Sequence, residues 1–300
     1  MDLGVERAVR AAAFAHLRSI VDENGVASWQ AMKRFEIGSE LIFLVGSGNG
    51  IFKPRQLSMP ISILTAAPKT GGQAPYDDAV SEDDYLLYRY RGTDPHFHEN
   101  VGLRDLYSSG MPLIHFHGVD IGRYVPSAAV IVQDDPGALT FSAALLPLEA
   151  AGPTFDAGSL GATQRSYQLR TVRVRVHQQS FRERVLKAYK GSCSLCRLNH
   201  RELLDAAHII PDSRGGEPVV PNGIALCKIH HAAYDANILG IRPDLVAEIR
   251  ADVMTESDGP MLAHGIQALD RQKLWTPRSL SNAPDRDLLE ERYEEFRAAS

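Results

Sequence analysis

Between Cys193 and His231 the chain reads CSLCRLNHRELLDAAHIIPDSRGGEPVVPNGIALCKIHH, and this stretch holds every cysteine of the 300-residue sequence. They fall as Cys193-x2-Cys196 and Cys227-x2-His230, with residues 197–226 between the pairs. A two-residue spacer lets one tight turn present both members of a pair to the same ion, and thiolate and imidazole donors suit tetrahedral Zn²⁺. Four protein ligands close the coordination shell, so the expected zinc is structural. Reading the three as ordinary buried cysteines leaves their spacing unexplained. An odd, clustered set is no disulfide framework and fits a reducing compartment. The chain between the pairs becomes a pinned excursion. For so small a module the metal is expected to supply much of the folding free energy.

An apolar content of 44% is enough for real cores, which excludes wholesale disorder. No apolar run is long enough to cross a membrane. The N-terminal VRAAAFAHLRSIV is interrupted by Arg10, His16 and Arg18 and reads as an amphipathic helix, not a secretion signal. A cytoplasmic protein without a membrane partner is the expectation. The net charge of −5 is unevenly spread. The stretch from Arg165 to Arg201 is rich in Lys and Arg and has one acid, Glu183, whereas residues 77–84 read DDAVSEDD. Screening confines each charge's reach to about 8–10 Å, so a basic stretch on an acidic chain can still bind a polyanion. A solvated helix face is the plainer alternative.

The fold class expected is α+β, in two domains. Residues 1–150 open with helices near 5–22 and 27–36. Short β-like runs follow (LIFLV, ISILT, YLLYRYR, PLIHFH, AAVIV, LTFSAALL), bounded by turn residues. Many short strands suggest an antiparallel barrel or sandwich. Residues 151–164, small and glycine-rich, read as a linker. Residues 165–300 begin with the alternating TVRVRVH, expected as a strand, and a helix over QQSFRERVLKAYKGS. LLDAAHII then reads as a strand and ALCKIHHAAYDA as a helix, so the pinned stretch is a β-hairpin packed on a helix. Further elements are LVAEIRADVM, a short helix at MLAHGIQAL and a final helix over 286–299 started by Pro284 and Asp285.

Within and just beyond the pinned excursion lie His208 in DAAHIIP, Asn222 in PNGIALC and His231 in KIHHAAYD. With the interlocking cysteine pairs, these motifs resemble the HNH nuclease family over about 185–240. The resemblance implies a zinc-stabilised ββα-metal fold. It implies His208 as general base, Asn222 as a residue that orients the base or ligates metal, and His231 as ligand to a catalytic Mg²⁺ or Mn²⁺. Consecutive helical residues point about 100° apart, so His230 can face the zinc while His231 faces the cleft. Many family members carry Asp or His directly before the base; here that position is Ala207. Asp205, on the same strand face as Ala207, is the first candidate for the missing carboxylate, and Asp235, one turn after His231, is the second.

The basic run then becomes a candidate DNA contact through Arg173, Arg175, Arg182, Arg184, Lys187 and Lys190, which would grip phosphates without reading sequence. So small a nuclease module needs a reader. The N-terminal helices and β-barrel loosely resemble SRA/PUA-like domains, which bind modified bases, and the whole resembles modification-dependent restriction endonucleases of SRA-HNH type. A base pocket would need aromatic faces and polar edges. Tyr76, Asp77, Tyr88 and Tyr90 are candidates, with Tyr85 nearby, although a structural role is the stronger reading for each tyrosine. PHFHEN and LIHFHG place histidines in H-x-H pairs, read as polar strand faces near a nucleic-acid cleft; GSGNG at 46–50 lacks a phosphate-loop Lys and reads as a turn. The expected activity is metal-dependent hydrolysis of double-stranded DNA, modified DNA above all. One catalytic set per chain makes a homodimer the expected route to double-strand cuts. The alternatives are an HNH nuclease for unmodified DNA and a non-catalytic zinc DNA-binding module.

Overall fold

The computed structural model describes residues 3–46, 50–67, 85–151 and 162–299. It divides into two compact units, Met1–Gln179 and Ser180–Ser300. No helix among the described residues is long and apolar enough to cross a membrane.

The first unit opens with α1 (Leu3–Ile20), whose Val9, Ala13, Phe14 and Leu17 form one buried face at helical spacing. On that helix Glu6 and Arg10 are both buried and paired at 2.9 Å. Such a pair is tolerable only when most of its donors and acceptors are used, and here only the buried Arg10 Nε is left without a partner among the described contacts of the pair. Glu6 accepts from Ser58 and Met59 backbone N–H groups at 2.7 and 3.2 Å, and Arg10 donates to the Pro60 carbonyl at 2.9 Å. The pair therefore pins the loop at 58–60 to the helix.

The strands β1 (Ala27–Ser28), β2 (Arg34–Ile37), β3 (Glu40–Phe43), β4 (Ile51–Phe52), β5 (Ser62–Thr65) and β6 (Leu86–Arg89) come next, with the one-turn helix α2 (Trp29–Met32) after β1. Helix α3 (His98–Ser109) precedes β7 (Leu113–Asp120), β8 (Arg123–Asp135) and β9 (Thr140–Leu146). Seven of these strands form one sheet in the order β4-β5-β7-β8-β9-β6, with β1 also on β8, while β2 and β3 pair separately. The α+β class holds, and the sheet curls as a half barrel. It is mixed, not purely antiparallel: β5 and β7 run parallel. A parallel pair needs a crossover, and α3 lies in it.

Both faces of the sheet are covered. Phe116, Ala128, Val130 and Leu146 pack on the α1 side with Phe14 and Leu17. Leu113, Ala129, Ile131 and Leu145 pack on the other with Leu103 and Leu106 of α3. Two-sided burial explains why β8 reads as an almost continuous apolar run.

Helix α4 (Ala162–Ala188) contains the boundary between the units. The alternation in TVRVRVH predicts a strand, yet these residues are helical. Leu169 and Val172, three residues apart, are buried on the second core of the first unit, while Val174 is exposed, so burial follows the helical period and not the alternation. The expected linker at 151–164 falls mostly outside the described residues.

In the second unit Phe181 and Val185 of α4, with Tyr189 just past its end, continue at helical spacing into another core. The hairpin β10 (Leu204–His208) and β11 (Gly223–Cys227) is followed at once by α5 (Lys228–Asp235). Strands β12 (Leu239–Ile241) and β13 (Ala247–Ile249), then α6 (Ala251–Thr255), α7 (Pro260–Gly265) and α8 (Arg286–Ala298), complete it. Asp285 caps α8 by accepting from Asp287 and Leu288 N–H groups. One continuous core runs from Phe181 through Ile224 and Tyr234 to Leu289. The pinned hairpin and helix thus do not stand alone: they share apolar packing with both flanking helices.

Candidate metal centre and nuclease cleft

The hairpin lies tight on α4. A Cβ on Gly223 would come within 2.5 Å of Val185 and 2.7 Å of Phe181, so only glycine fits opposite His208. The loop joining the strands is fastened by Asn222, which is 1% exposed. Its Nδ2 donates to the carbonyls of Ile210 and Glu217, both at 2.9 Å, and its Oδ1 accepts from Ile210 N–H at 2.9 Å. Asn222 is thereby committed to holding the loop that follows His208. Gly216 belongs to the same arrangement, since a Cβ there would overlap the Ile210 carbonyl.

His208 stacks on Phe181, with ring centroids 3.9 Å apart and 14° between planes. Its Nε2 is buried and lies 3.4 Å from Asp212 Oδ1, at ion-pair distance but without hydrogen-bond geometry. Burial holds the imidazole below its ordinary pKa, with Asp212 working the other way. His231, on α5, has Asp205 Oδ2 3.6 Å from Nδ1 and Asp235 Oδ2 3.4 Å from Nε2. Burial disfavours its protonation, but the two carboxylates outweigh burial and its pKa is raised. The carboxyl of Asp205 is itself held below the usual range; burial opposes this, and His231 and Arg182 prevail. The two sequence candidates for the missing carboxylate thus sit on opposite nitrogens of one imidazole. Asp212 and Phe181 were not singled out by the motif, although Asp212 lies only four residues beyond His208.

On the other side of α5, His230 joins Cys193, Cys196 and Cys227. One donor atom from each lies within 4.8 Å of all the others, and this is the only such group of three or more among the described residues. Cys193 Sγ is 3.4 Å from His230 Nδ1. Interactions with Cys196, Cys227 and His230 press the Cys193 thiol pKa down, while those with Cys193 and Cys227 push the Cys196 thiol up, because one thiolate opposes the next in so tight a cluster. The other ring nitrogen, Nε2, is 2.9 Å from the Gly265 carbonyl at the end of α7. A proton on Nε2 would leave Nδ1 free to coordinate, the usual outer-shell support for a metal histidine. These donors fit a tetrahedral divalent ion.

The basic residues divide. Arg173, Arg184 and Lys187 are exposed on α4, and Lys190 is exposed in the turn just after it. Arg175 lies 3.6 Å from Glu149, and Arg184 donates to the Pro218 carbonyl at 2.6 Å. Arg182 is 5% exposed and turned inward, which removes it from a phosphate-contacting surface.

Of the base-pocket candidates, Tyr76 and Asp77 lie outside the described residues. Tyr88 is half-buried, with its hydroxyl 3.5 Å from the Leu64 carbonyl. Tyr90 is buried, stacked on Phe141 at 4.5 Å, and its hydroxyl meets Asp134 and Arg104. His115 and His117 share a face of β7, but His96 lies in a turn and His98 begins α3, so the PHFHEN pair is not on a strand. Most of GSGNG, residues 47–49, lies outside the described residues.

No curated protein sequence matches the chain. Among solved structures it is similar to a modification-dependent TagI restriction endonuclease, at 16% identity and a TM-score of 0.29 over 79% of this chain and 82% of that one. It is also similar to the type IV phosphorothioation-dependent restriction endonuclease ScoMcrA, at 16% identity and a TM-score of 0.23 over 81% of this chain and 59% of that one. The family model described as HNH endonuclease matches residues 193–242, the segment that carries the four-donor set, Asn222 and both cleft histidines, and it is to the HNH endonucleases that this module is akin.

Proposed function

We propose that the protein is a divalent-metal-dependent DNA endonuclease whose C-terminal unit cuts and whose N-terminal unit chooses the target, modified DNA in the first instance. The observation that carries the reading is that one hairpin and helix place His231 against Asp205, and His208 close enough to feel the charges of His231 and Asp235, beside a separate four-donor set. Thiolate-rich donors favour Zn²⁺ in that set, as a structural ion. Asp205 and His231 would hold the catalytic Mg²⁺ or Mn²⁺, with Asp235 as a further carboxylate at its edge. When bound, that cation supplies positive charge at the scissile phosphate and the leaving oxygen.

His208 acts as general base. With Nε2 turned to Asp212, Nδ1 is the nitrogen that takes the proton from the attacking water. Its depressed pKa keeps it unprotonated at neutral pH. Phe181 fixes the ring plane and Asn222 fixes the loop behind it. Water oxygen forms the new bond to phosphorus and the P–O3′ bond breaks, leaving 5′-phosphate and 3′-hydroxyl ends. Arg173, Arg175, Arg184, Lys187 and Lys190 supply phosphate contacts. Tyr76, Asp77 and Tyr88 are the residues to test first for base recognition; Tyr90 serves such a pocket from behind, its hydroxyl already bound. One catalytic set per chain calls for a homodimer in double-strand cutting, and the clustered thiols suit the cytoplasm.

The test is digestion of one plasmid prepared unmodified, with 5-methylcytosine, with 5-hydroxymethylcytosine and with phosphorothioate linkages, in Mg²⁺ or Mn²⁺. Preferential cutting of one modified form is expected. Equal cutting of all four would remove the modified-DNA reading and leave the nuclease. Binding without cutting would favour the non-catalytic zinc module.

A further inference from the structure

We infer that Arg182 is a positioning residue of the cleft, holding one oxygen of Asp205 so that the other is presented beside His231. The inference rests on the reading of Asp205 and His231 as cation ligands and extends it to a residue outside the motif. Arg182 belongs to α4, and its side chain is 6% exposed. A buried guanidinium is costly unless its donors are used, and here they are. Nε faces Asp205 Oδ1 at 3.3 Å, Nη2 donates to the carbonyls of Leu204 at 2.8 Å and Arg201 at 3.1 Å, and Nη1 lies 3.5 Å from Glu183 Oε1. Glu183 is buried and also binds the Arg201 guanidinium. The fork thus grips the backbone that leads into β10 together with the first side chain that β10 sends into the cleft.

The consequence lies at Asp205. Its side chain is 36% exposed, open enough to meet a ligand and free enough to swing if nothing held it. With Oδ1 on Arg182, Oδ2 is the oxygen left 3.6 Å from His231 Nδ1. A planar, forked donor can hold two carbonyls and a carboxylate at once, which a lysine ammonium on a flexible stem cannot reproduce. Outer-shell partners of this kind typically change metal affinity by about 10–100-fold when removed.

The experiment is a double-mutant cycle on the full chain with Mn²⁺ as the probe. Wild type, Arg182→Lys, Asp205→Asn and the double variant are compared for Mn²⁺ affinity by calorimetry, for plasmid cutting and for melting temperature. Arg182→Lys is expected to keep the fold and weaken Mn²⁺ binding about 10-fold or more, with cutting recovered at higher Mn²⁺. In the Asp205→Asn background the same change is expected to add nothing to the loss of Mn²⁺ affinity. Unchanged Mn²⁺ affinity in Arg182→Lys, or an equal further loss without Asp205, would overturn the inference while leaving the nuclease standing. A wild type that neither binds Mn²⁺ nor cuts would overturn both. Should Arg182→Lys fail to fold, Glu183→Gln loosens the same fork from its far side and meets the same two comparisons.

Discussion

His115 and His117 on β7, and His208 and His231 in the hairpin–helix module, are two pairs of histidines set in different surroundings. In the first unit His115 is 2% exposed, with Thr65 Oγ1 at 2.9 Å and Ser127 Oγ at 3.5 Å on its two nitrogens. Burial pushes its pKa to about 3, and burial with nearby His177 pushes His117 to about 4. In the second unit both rings are partly exposed and each has a carboxylate within 3.6 Å. The lesson is that histidine count and strand placement do not make a site. Partners distinguish the two pairs: hydroxyls and burial make β7 an uncharged polar layer, whereas carboxylates stand beside both rings of the second pair, the surroundings that the proposed cation and proton would need. The units can be followed separately in the full chain, because one of the two tryptophans, Trp29, lies in the first and the other, Trp275, in the second.

The largest effect is expected from the four-donor set. Cys227→Ser should abolish cutting and destabilise the second unit by roughly 3 kcal/mol or more, which is ~10 °C or more in its melting transition. Trp275 fluorescence should report the loss while Trp29 is unmoved. A simultaneous loss of both signals would show that the units do not fold independently.

Acid should have the opposite selectivity. His115 and His117 bind protons in the unfolded chain below the ordinary histidine value of 6.5 but resist them when folded. Their contribution is fully present above pH 6.5 and is lost as pH falls toward 4 and 3. The Trp29 transition in a Trp275→Phe variant should therefore lose roughly 1–2 kcal/mol per pH unit below about 6. A flat profile would mean that the β7 histidines are hydrated.

A smaller shift tests the cleft. The acid limb of kcat/KM should lie below 6.5, because burial depresses His208. Asp212→Asn should move it lower still, since Asp212 opposes that depression; an upward move would break the assignment of His208 as base. Smallest of all, Arg173→Gln or Arg175→Gln should weaken DNA binding a few-fold and each reduce the salt dependence by about one unit of slope.

Much of this was legible in the sequence because strong local rules governed it. The six apolar runs became β3 and β5 to β9, each run lying at or near its strand, and the four Cys/His donors that gather in the second unit could be picked out by their spacing. The TVRVRVH segment misled because alternation of Val and Arg mimics a half-buried strand, while the burial that decides it, at Leu169 and Val172, starts earlier in the chain. The basic run misled differently. Charge counts cannot tell that Arg182 points inward to two carbonyls and the Asp205 carboxylate, because those partners are supplied by β10 and its approach. Asp212 was invisible for a similar reason: its nearness to His208 depends on a loop folded back by Asn222.

The most direct measurement is the nicking of supercoiled plasmid, the best-cut modified form included, by wild type and His208→Ala under Mn²⁺. The account predicts conversion by wild type and a rate about 10²–10⁴-fold lower for the variant with DNA binding retained. Equal cutting by both proteins, or no cutting by wild type on any of the plasmids, would contradict it.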